Sequence, residues 1–423
     1  MRKLLLLVAL LTFGVGAKAQ VTETDLSQYS DVLYAAPITV LQGTTSVKLP
    51  INAKTHADFV ATESMLVLPE GVEVIRDGGA DENRYDKNQD VKLVSFLGNQ
   101  LAEGYKLASV ITSSGIGADK DTQYGFTAGD GVLGYIEVDV SALGVGEYEM
   151  VMKDAIISKF LDGSPDVTIS DQIVTKLIVS SELVFDEDAT YLPGYTSGAT
   201  ANVTMKRTIK ANQWSTIVLP FNVPKTQAES IFGSDVQLAQ FTSFETTFES
   251  TDDMSPDAIQ MKFNTISLPR AGISSGTLYL IKTSKDIDVF SVTSATLKDV
   301  ITDVSATDPK EGFTGKFTGS FVPTVIPENG LFISGNKFYY SKGTTKIRGF
   351  RGWFDLSVVL NQDIEAKIRF SIDGDATSID GISEITKYAD GVYSVTGAKV
   401  SEDSLEGLPA GVYIVNGKKV YKK

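Results

Sequence analysis

The chain contains a single histidine, His56, and no cysteine. Cysteine nucleophiles are therefore excluded, and a serine triad would need His56 as its sole base. His56 sits in the polar run Lys54-Thr55-His56-Ala57-Asp58, which reads as a surface loop. Zinc sites built on several histidines or cysteines are equally out of reach. Glycoside hydrolysis needs only two carboxylates, and carboxylates abound, but nothing in their spacing selects a pair. The chain is read as non-enzymatic. The alternative is a carbohydrate-active enzyme or an enzyme-associated glycan-binding module.

Two ligand chemistries keep candidates. Asp81, Asn83, Asp86, Asn88 and Asp90 carry oxygen side chains at alternating positions, as a hard cation prefers. Calcium is thus the one cofactor suggested, and no other is expected. Val91 and Leu97 stand where an EF-hand loop needs glycine and glutamate, so a solvated acidic loop is the preferred reading. Trp353, Arg351, Tyr339 and Tyr340 are the candidates for binding glycan, because aromatic faces stack on the apolar faces of sugars. Arg348 and Arg351 precede Trp353 and would make the site polar as well as aromatic. Against this, Trp214 lies in the alternating run Gln213–Leu219 and reads as core. Trp353 too is a type of residue that more often anchors a sandwich.

These residues must be carried by short strands. Ile38–Leu41, Ser46–Ile51, Met65–Leu68, Val91–Leu97, Lys106–Thr112, Val132–Val140, Glu147–Met152 and Gln172–Val179 are β-branched or alternate apolar with polar. Turns are expected at Pro69-Glu70-Gly71, Asp77-Gly78-Gly79, Gly129-Asp130-Gly131 and Gly144-Val145-Gly146. That spacing predicts a β-sandwich. Further strands are expected at Asn202–Ile209, Ser215–Leu219, Val236–Phe241, Ile259–Phe263, Thr277–Lys282, Val289–Val292, Gly330–Ile333, Lys337–Ser341 and Ala366–Ile372. One helix is expected at Thr226–Phe232, capped by Thr226 and Glu229 and stopped by Gly233, with Ala228, Ile231 and Phe232 inward. In the last forty residues or so, Asn416-Gly417 marks a two-residue hairpin turn.

Arg2 and Lys3, the apolar run Leu4–Phe13 and the small residues of Ala17-Lys18-Ala19 have the layout of a secretory signal peptide, with cleavage expected after Ala19. No later segment approaches the roughly 20 apolar residues of a membrane span. The expected location is extracellular or the outer cell surface. The net charge is −15, and it is uneven. Gln20–Thr200 holds 28 acidic and 11 basic residues, net −17, and Ala201 to the end nets −1. Phosphates and anionic membrane surfaces would be repelled by that first part, so nucleic acid is not an expected partner.

Three resemblances follow from these motifs. "ITVLQGTTSVKLPINAK", "MLVLPEGVEVI", "GDGVLGYIEVDV" and "GEYEMVMKDAIIS" make Tyr34–Ser180 similar to cohesin domains, a likeness that implies a fold rather than a partner. "RTIKANQWSTIVLPFNVP", "LYLIK" and "IRGFRGWFDL" resemble a β-rich domain common in secreted proteins of Bacteroidetes. "GVYSVTGAKV" and "LPAGVYIVNGKKVYKK" make Ile382–Lys423 look like a shortened type IX sorting domain of the same group. The expected organisation is all-β: a signal peptide at 1–19, a cohesin-like β-sandwich at 20–181, a second β-sandwich-like domain at 182–378 and a small C-terminal β unit at 379–423. The expected function is a non-catalytic secreted or surface protein that presents its sandwiches for adhesion, binding an extracellular protein or glycan.

Overall fold

The computed structural model describes residues 21–80, 93–112, 125–161, 164–248, 256–268, 272–360, 367–373, 392–394, 399–401, 409, 411–415 and 418–422. Residues 1–19, expected to be a signal peptide, and all five calcium candidates, Asp81, Asn83, Asp86, Asn88 and Asp90, lie outside them. The described residues are almost entirely β and fall into two compact units. Unit 1 runs to Val184 and takes back Pro193–Asn202; unit 2 holds Phe185–Leu192 and the chain from Val203 onward. The return of Pro193–Asn202 departs from a boundary at Ser181/Glu182. Its cause is local pairing: the Gly194 N–H donates to the Thr39 carbonyl, and Leu41 donates to the Gly194 carbonyl, at 2.8 Å each.

In chain order, unit 1 contains β1 (Val32–Ala35), β2 (Ile38–Leu41), β3 (Ser46–Thr55), β4 (Ala61–Val67), β5 (Glu73–Ala80) and β6 (Leu93–Leu101). It continues with β7 (Gly104–Thr112), β8 (Gly129–Asp139), β9 (Gly146–Leu161), β10 (Ser164–Ser170) and β11 (Ile173–Ser180). One sheet has the order β1-β3-β8-β5. The other runs β2-β11-β9-β4-β7-β6, with β10 also on β9. A single apolar core lies between them, drawing Val32, Leu49, Ile51, Ile136 and Val138 from the first sheet and Leu66, Leu107, Met150, Ile157 and Leu177 from the second. Two sheets sharing one core make a β-sandwich. Strand β11 alternates buried and half-buried residues along its whole length, so the period-2 pattern in the sequence is the pattern of burial.

Two expected turns are strand instead. Asp77-Gly78-Gly79 lies within β5, and Gly129-Asp130-Gly131 opens β8 opposite Lys54 and Thr55. Strand β9 is also longer than Glu147–Met152. Its first half pairs with β11 and its second half with β10 on the same edge. The partners change at Asp154, which has φ 52°. There β9 carries one residue more than β4, since Glu63 faces Ile156 but Met65 faces Lys153. This is a β-bulge, and a short polar side chain is among the few that tolerate its left-handed backbone.

Unit 2 takes in β12 (Glu182–Asp186), β13 (Thr200–Ile209), β14 (Ser215–Ile217), α1 (Lys225–Phe232), β15 (Gln237–Thr247), β16 (Ala258–Ile266), β17 (Tyr279–Lys282) and β18 (Ile287–Thr296). The first two of these begin in unit 1. Next come β19 (Val304–Thr307), β20 (Thr314–Ser320), β21 (Thr324–Val325), β22 (Leu331–Ser334), β23 (Lys337–Tyr340), β24 (Lys346–Ile347), β25 (Arg351–Asp355) and β26 (Lys367–Ile372). The main sheets are β12-β13-β18, β14-β17-β15-β16-β26 and β19-β20-β25-β22-β23. Their core is aromatic. Phe317 stacks on Phe354 at 4.3 Å, Phe241 and Phe263 meet Phe354 edge-on, and Phe370 lies 4.5 Å from Phe263. Each such pair adds about 0.5–1.5 kcal/mol beyond its buried area. Trp214 is buried, as its alternating run implies.

The helix forms one residue earlier than expected and without its capping box. Pro224 is the N-cap, and no side chain accepts from the first turn. Thr226 is already helical, where its hydroxyl cannot reach forward to a free N–H. Ala228 and Phe232 are buried and Ile231 is half-buried. Gly233, at φ 99°, ends the helix, its N–H donating to Glu229. At the end of the chain β27 (Val392–Ser394), β28 (Lys399–Ser401), β29 (Gly411–Val415) and β30 (Lys418–Lys422) form a sheet ordered β28-β27-β29-β30. Val415 faces Lys418 across the hairpin, and the turn residues Asn416 and Gly417 lie outside the described residues.

Candidate functional site: an aromatic row beside an arginine cluster

Strand β25 carries the chemistry of unit 2 on one face. Gly352 and Phe354 are buried, whereas Arg351 and Trp353 are half-buried and Asp355 is exposed. Alternation puts these three side chains on the face away from the phenylalanine core. The glycine is required by packing. A Cβ on Gly352 would lie 2.6 Å from the Thr318 carbonyl oxygen and 2.7 Å from Leu278 Cδ2. The core thus closes tightly against this strand and fixes the outward face.

Neighbouring strands extend that face into a row. Thr318 of β20 pairs with Trp353. On the other side Leu331 of β22 faces Phe354, so the next residues along, Phe332 and Trp353, turn outward together. Phe332 in turn faces Tyr339 of β23, with near-parallel rings 5.6 Å apart. The hairpin β22–β23 turns through Gly335 and Asn336, at φ 56° and 62°, the two positive angles of a type I′ turn. That turn sets the register that puts Phe332 opposite Tyr339. Asn336 is pinned in place, accepting from the Trp214 N–H at 2.7 Å and donating to the Asn212 carbonyl at 3.3 Å.

The row therefore contains Trp353 and Tyr339 from the glycan candidates, with Phe332 added. Tyr340 does not belong to it. It pairs with buried Leu331 on the inward face, and burial raises its hydroxyl well above the ordinary tyrosine range. The missed residue, Phe332, had a usable signal: Gly335-Asn336 is a two-residue hairpin turn, and counting outward from it pairs 332 with 339.

Arg351 leads from the row into a cluster of charge. One Nη donates to Glu187 Oε2 at 2.7 Å. Arg348 donates to Oε1 at 3.0 Å and Arg207 to Oε2 at 3.3 Å. The Thr208 N–H adds a fourth donor at 3.1 Å. Glu187 and Arg207 are buried. Burial works to raise the Glu187 carboxyl, but Arg207, Arg351 and the hydrogen bonds outweigh it and hold the group below its ordinary value. Burial lowers both Arg207, to about 9, and Arg351, and in each case a neighbouring arginine adds to the effect.

In unit 1 the one histidine has a role that its loop setting concealed. The ring of His56 is half-exposed, yet its Nδ1 lies 2.7 Å from Asp31 Oδ2. Asp31 is buried and also takes Lys159 Nζ at 3.1 Å, with Lys159 only 1% exposed. Burial raises Asp31, but the contacts from Lys159 and His56 prevail and its carboxyl sits below 3.8. Among the described residues, no group of three or more histidines, cysteines or carboxylates is placed to hold a metal. None of the helices there is long and apolar enough to cross a membrane.

No family model matches the sequence, and no curated protein matches it. Similar solved structures are cohesins. A non-cellulosomal cohesin from the archaeon Archaeoglobus fulgidus is 14% identical, with 36% of this chain and 93% of that chain covered and a TM-score of 0.26. The sixth cohesin of Acetivibrio cellulolyticus scaffoldin B, solved with a Cel5 dockerin, is 13% identical over 36% of this chain and 100% of that one, at a TM-score of 0.27. The seventh ScaB type I cohesin from Pseudobacteroides cellulosolvens is 15% identical over 34% and 89%, at 0.24. The sandwich assignment for unit 1 stands on its own sheets and shared core.

Proposed function

We propose that this chain is a secreted or surface-exposed, non-catalytic binding protein whose second unit engages glycan. The observation that carries this reading is the row Trp353–Phe332–Tyr339 on the outer face of one sheet. Tyr339 is 40% exposed, and Trp353 and Phe332 are half-buried. Three aromatic side chains on one open face, outside a core already rich in phenylalanine, are costly to leave near water. A sugar would cover them with its apolar face while its hydroxyls stay hydrated. Export is supported by the layout of residues 1–19, and surface retention by the sorting-like tail.

The test is a glycan array with the full chain, followed by titration of any hit. Binding that is lost in Trp353→Ala and weakened in Tyr339→Ala, but kept in Tyr340→Phe, is the expected result. An array with no hit overturns the reading. A parallel hydrolysis screen is expected to show no turnover, and turnover would replace the non-catalytic assignment with the enzyme alternative.

A further inference from the structure

We infer that the glycan carries an anionic group, carboxylate or sulfate, received by Arg351 and Arg348 at one end of the aromatic row. This rests on the glycan reading and adds the substrate class. Arg351 and Trp353 are two residues apart on one strand face, so their side chains emerge about 7 Å apart. A sugar stacked on the indole would bring a ring substituent to the guanidinium.

The charges around Glu187 do not balance. Arg207, Arg348, Arg351 and Lys206 face Asp186, Glu187 and Asp188. Arg348 bridges to Asp188 at 3.1 Å, and Lys206 to Asp186 at 3.2 Å. One positive charge is left over, in a chain whose net charge is −15. Both oxygens of Glu187 are already occupied by two donors each. Arg351 spends one Nη on it, and its other N–H donors meet no acceptor among the described residues. Its side chain is 24% exposed and that of Arg348 is 54% exposed, so an incoming anion can reach both. A guanidinium fork fits a carboxylate or sulfate edge in two parallel hydrogen bonds. A second anion would also relieve the repulsion among three arginines gathered on one carboxylate. On the β20 side of Trp353, Thr318 and Lys316 both bind Asp303, and Asp355 is exposed, which leaves Arg351 as the cation of that face of β25.

Two matched pairs of polymers test this with the full chain: polygalacturonate against its carboxyl-reduced form, and dextran sulfate against dextran. In each, only the anionic group differs. At least one anionic member should bind about tenfold or more tighter than its neutral partner, and added salt should erode the difference. Whichever pair responds identifies carboxylate or sulfate as the group. Arg348→Gln, at an exposed position, should shrink the preference while leaving the folded spectrum intact. Arg351→Lys should reduce it further by losing the fork, and Trp353→Ala should abolish binding of every polymer. Equal binding of charged and neutral partners overturns the anionic inference and leaves the glycan reading standing. A preference unchanged in Arg348→Gln and Arg351→Lys also overturns it. No binding by any polymer, with an empty glycan array, overturns both.

Discussion

Among the described residues, the buried carboxylates Asp31 and Glu187 each hold a buried cation, one in each unit. Asp31 holds Lys159 at 1% exposure, where weakening a charge pair is severely penalised. Asp31→Asn should therefore cost about 3–5 kcal/mol, read as a lower urea midpoint. The pH dependence has a definite sign. The folded values of Asp31 and Glu187 lie below their ordinary 3.8 and 4.5. Their stabilisation is thus complete above the ordinary values and is lost as the pH falls through the lowered ones. Urea melts should show stability falling steeply below about pH 4, with a shallower acid limb in Asp31→Asn. Neither carboxylate stands out in the sequence. Glu187 is one of four acidic residues between Glu182 and Asp188, and its arginine partners at 348 and 351 are some 160 positions away.

At the scale of elements, backbone geometry decides which side chains meet. The bulge at Asp154 switches β9 from one partner strand to the other, and its φ of 52° excludes β-branched residues. Asp154→Val should destabilise unit 1 by about 1–2 kcal/mol, and Asp154→Gly should be nearly neutral by the same thermal melt. Gly352 works by space instead. Gly352→Ala drives a methyl into the Thr318 carbonyl and Leu278, which should cost about 1–3 kcal/mol and weaken glycan binding through β25. The strands were largely legible, because half-buried strands alternate in sequence as they do in space. The exceptions have causes. Asp77-Gly78-Gly79 and Gly129-Asp130-Gly131 have turn composition, yet β8 pairs through both segments, and tertiary pairing outweighs local preference. The capping box failed because Pro224 caps the helix two residues before Thr226, which is then already helical.

At the scale of the whole molecule, charge and the expected export come first. The excess acid of Gln20–Thr200 disfavours polyanionic partners, whereas the arginine cluster lies in the near-neutral remainder. This division agrees with the proposed anionic-glycan binding by unit 2. Mass analysis of the exported protein should find residues 1–19 missing, and an intact start would withdraw the signal peptide. The solvated-loop reading of Asp81–Asp90 expects identical melting curves with calcium and with chelator. A higher melting temperature in calcium would make that loop a site.

The sequence by itself determined the all-β class, the sandwich of Ile38–Val179, the burial of Trp214 and the exclusion of thiol and multi-histidine chemistry. Each of these depends on composition or on a period of two, which a linear string displays. Tertiary structure decided the rest. Tyr339 faces out and Tyr340 in, Phe332 joins Trp353, and Arg207, Arg348 and Arg351 converge on Glu187. Those outcomes depend on register and on contacts between distant segments. A one-residue shift in pairing would turn every side chain of β23 to the opposite face, and the I′ turn at Gly335-Asn336, pinned by the Trp214 segment, is what selects between the two.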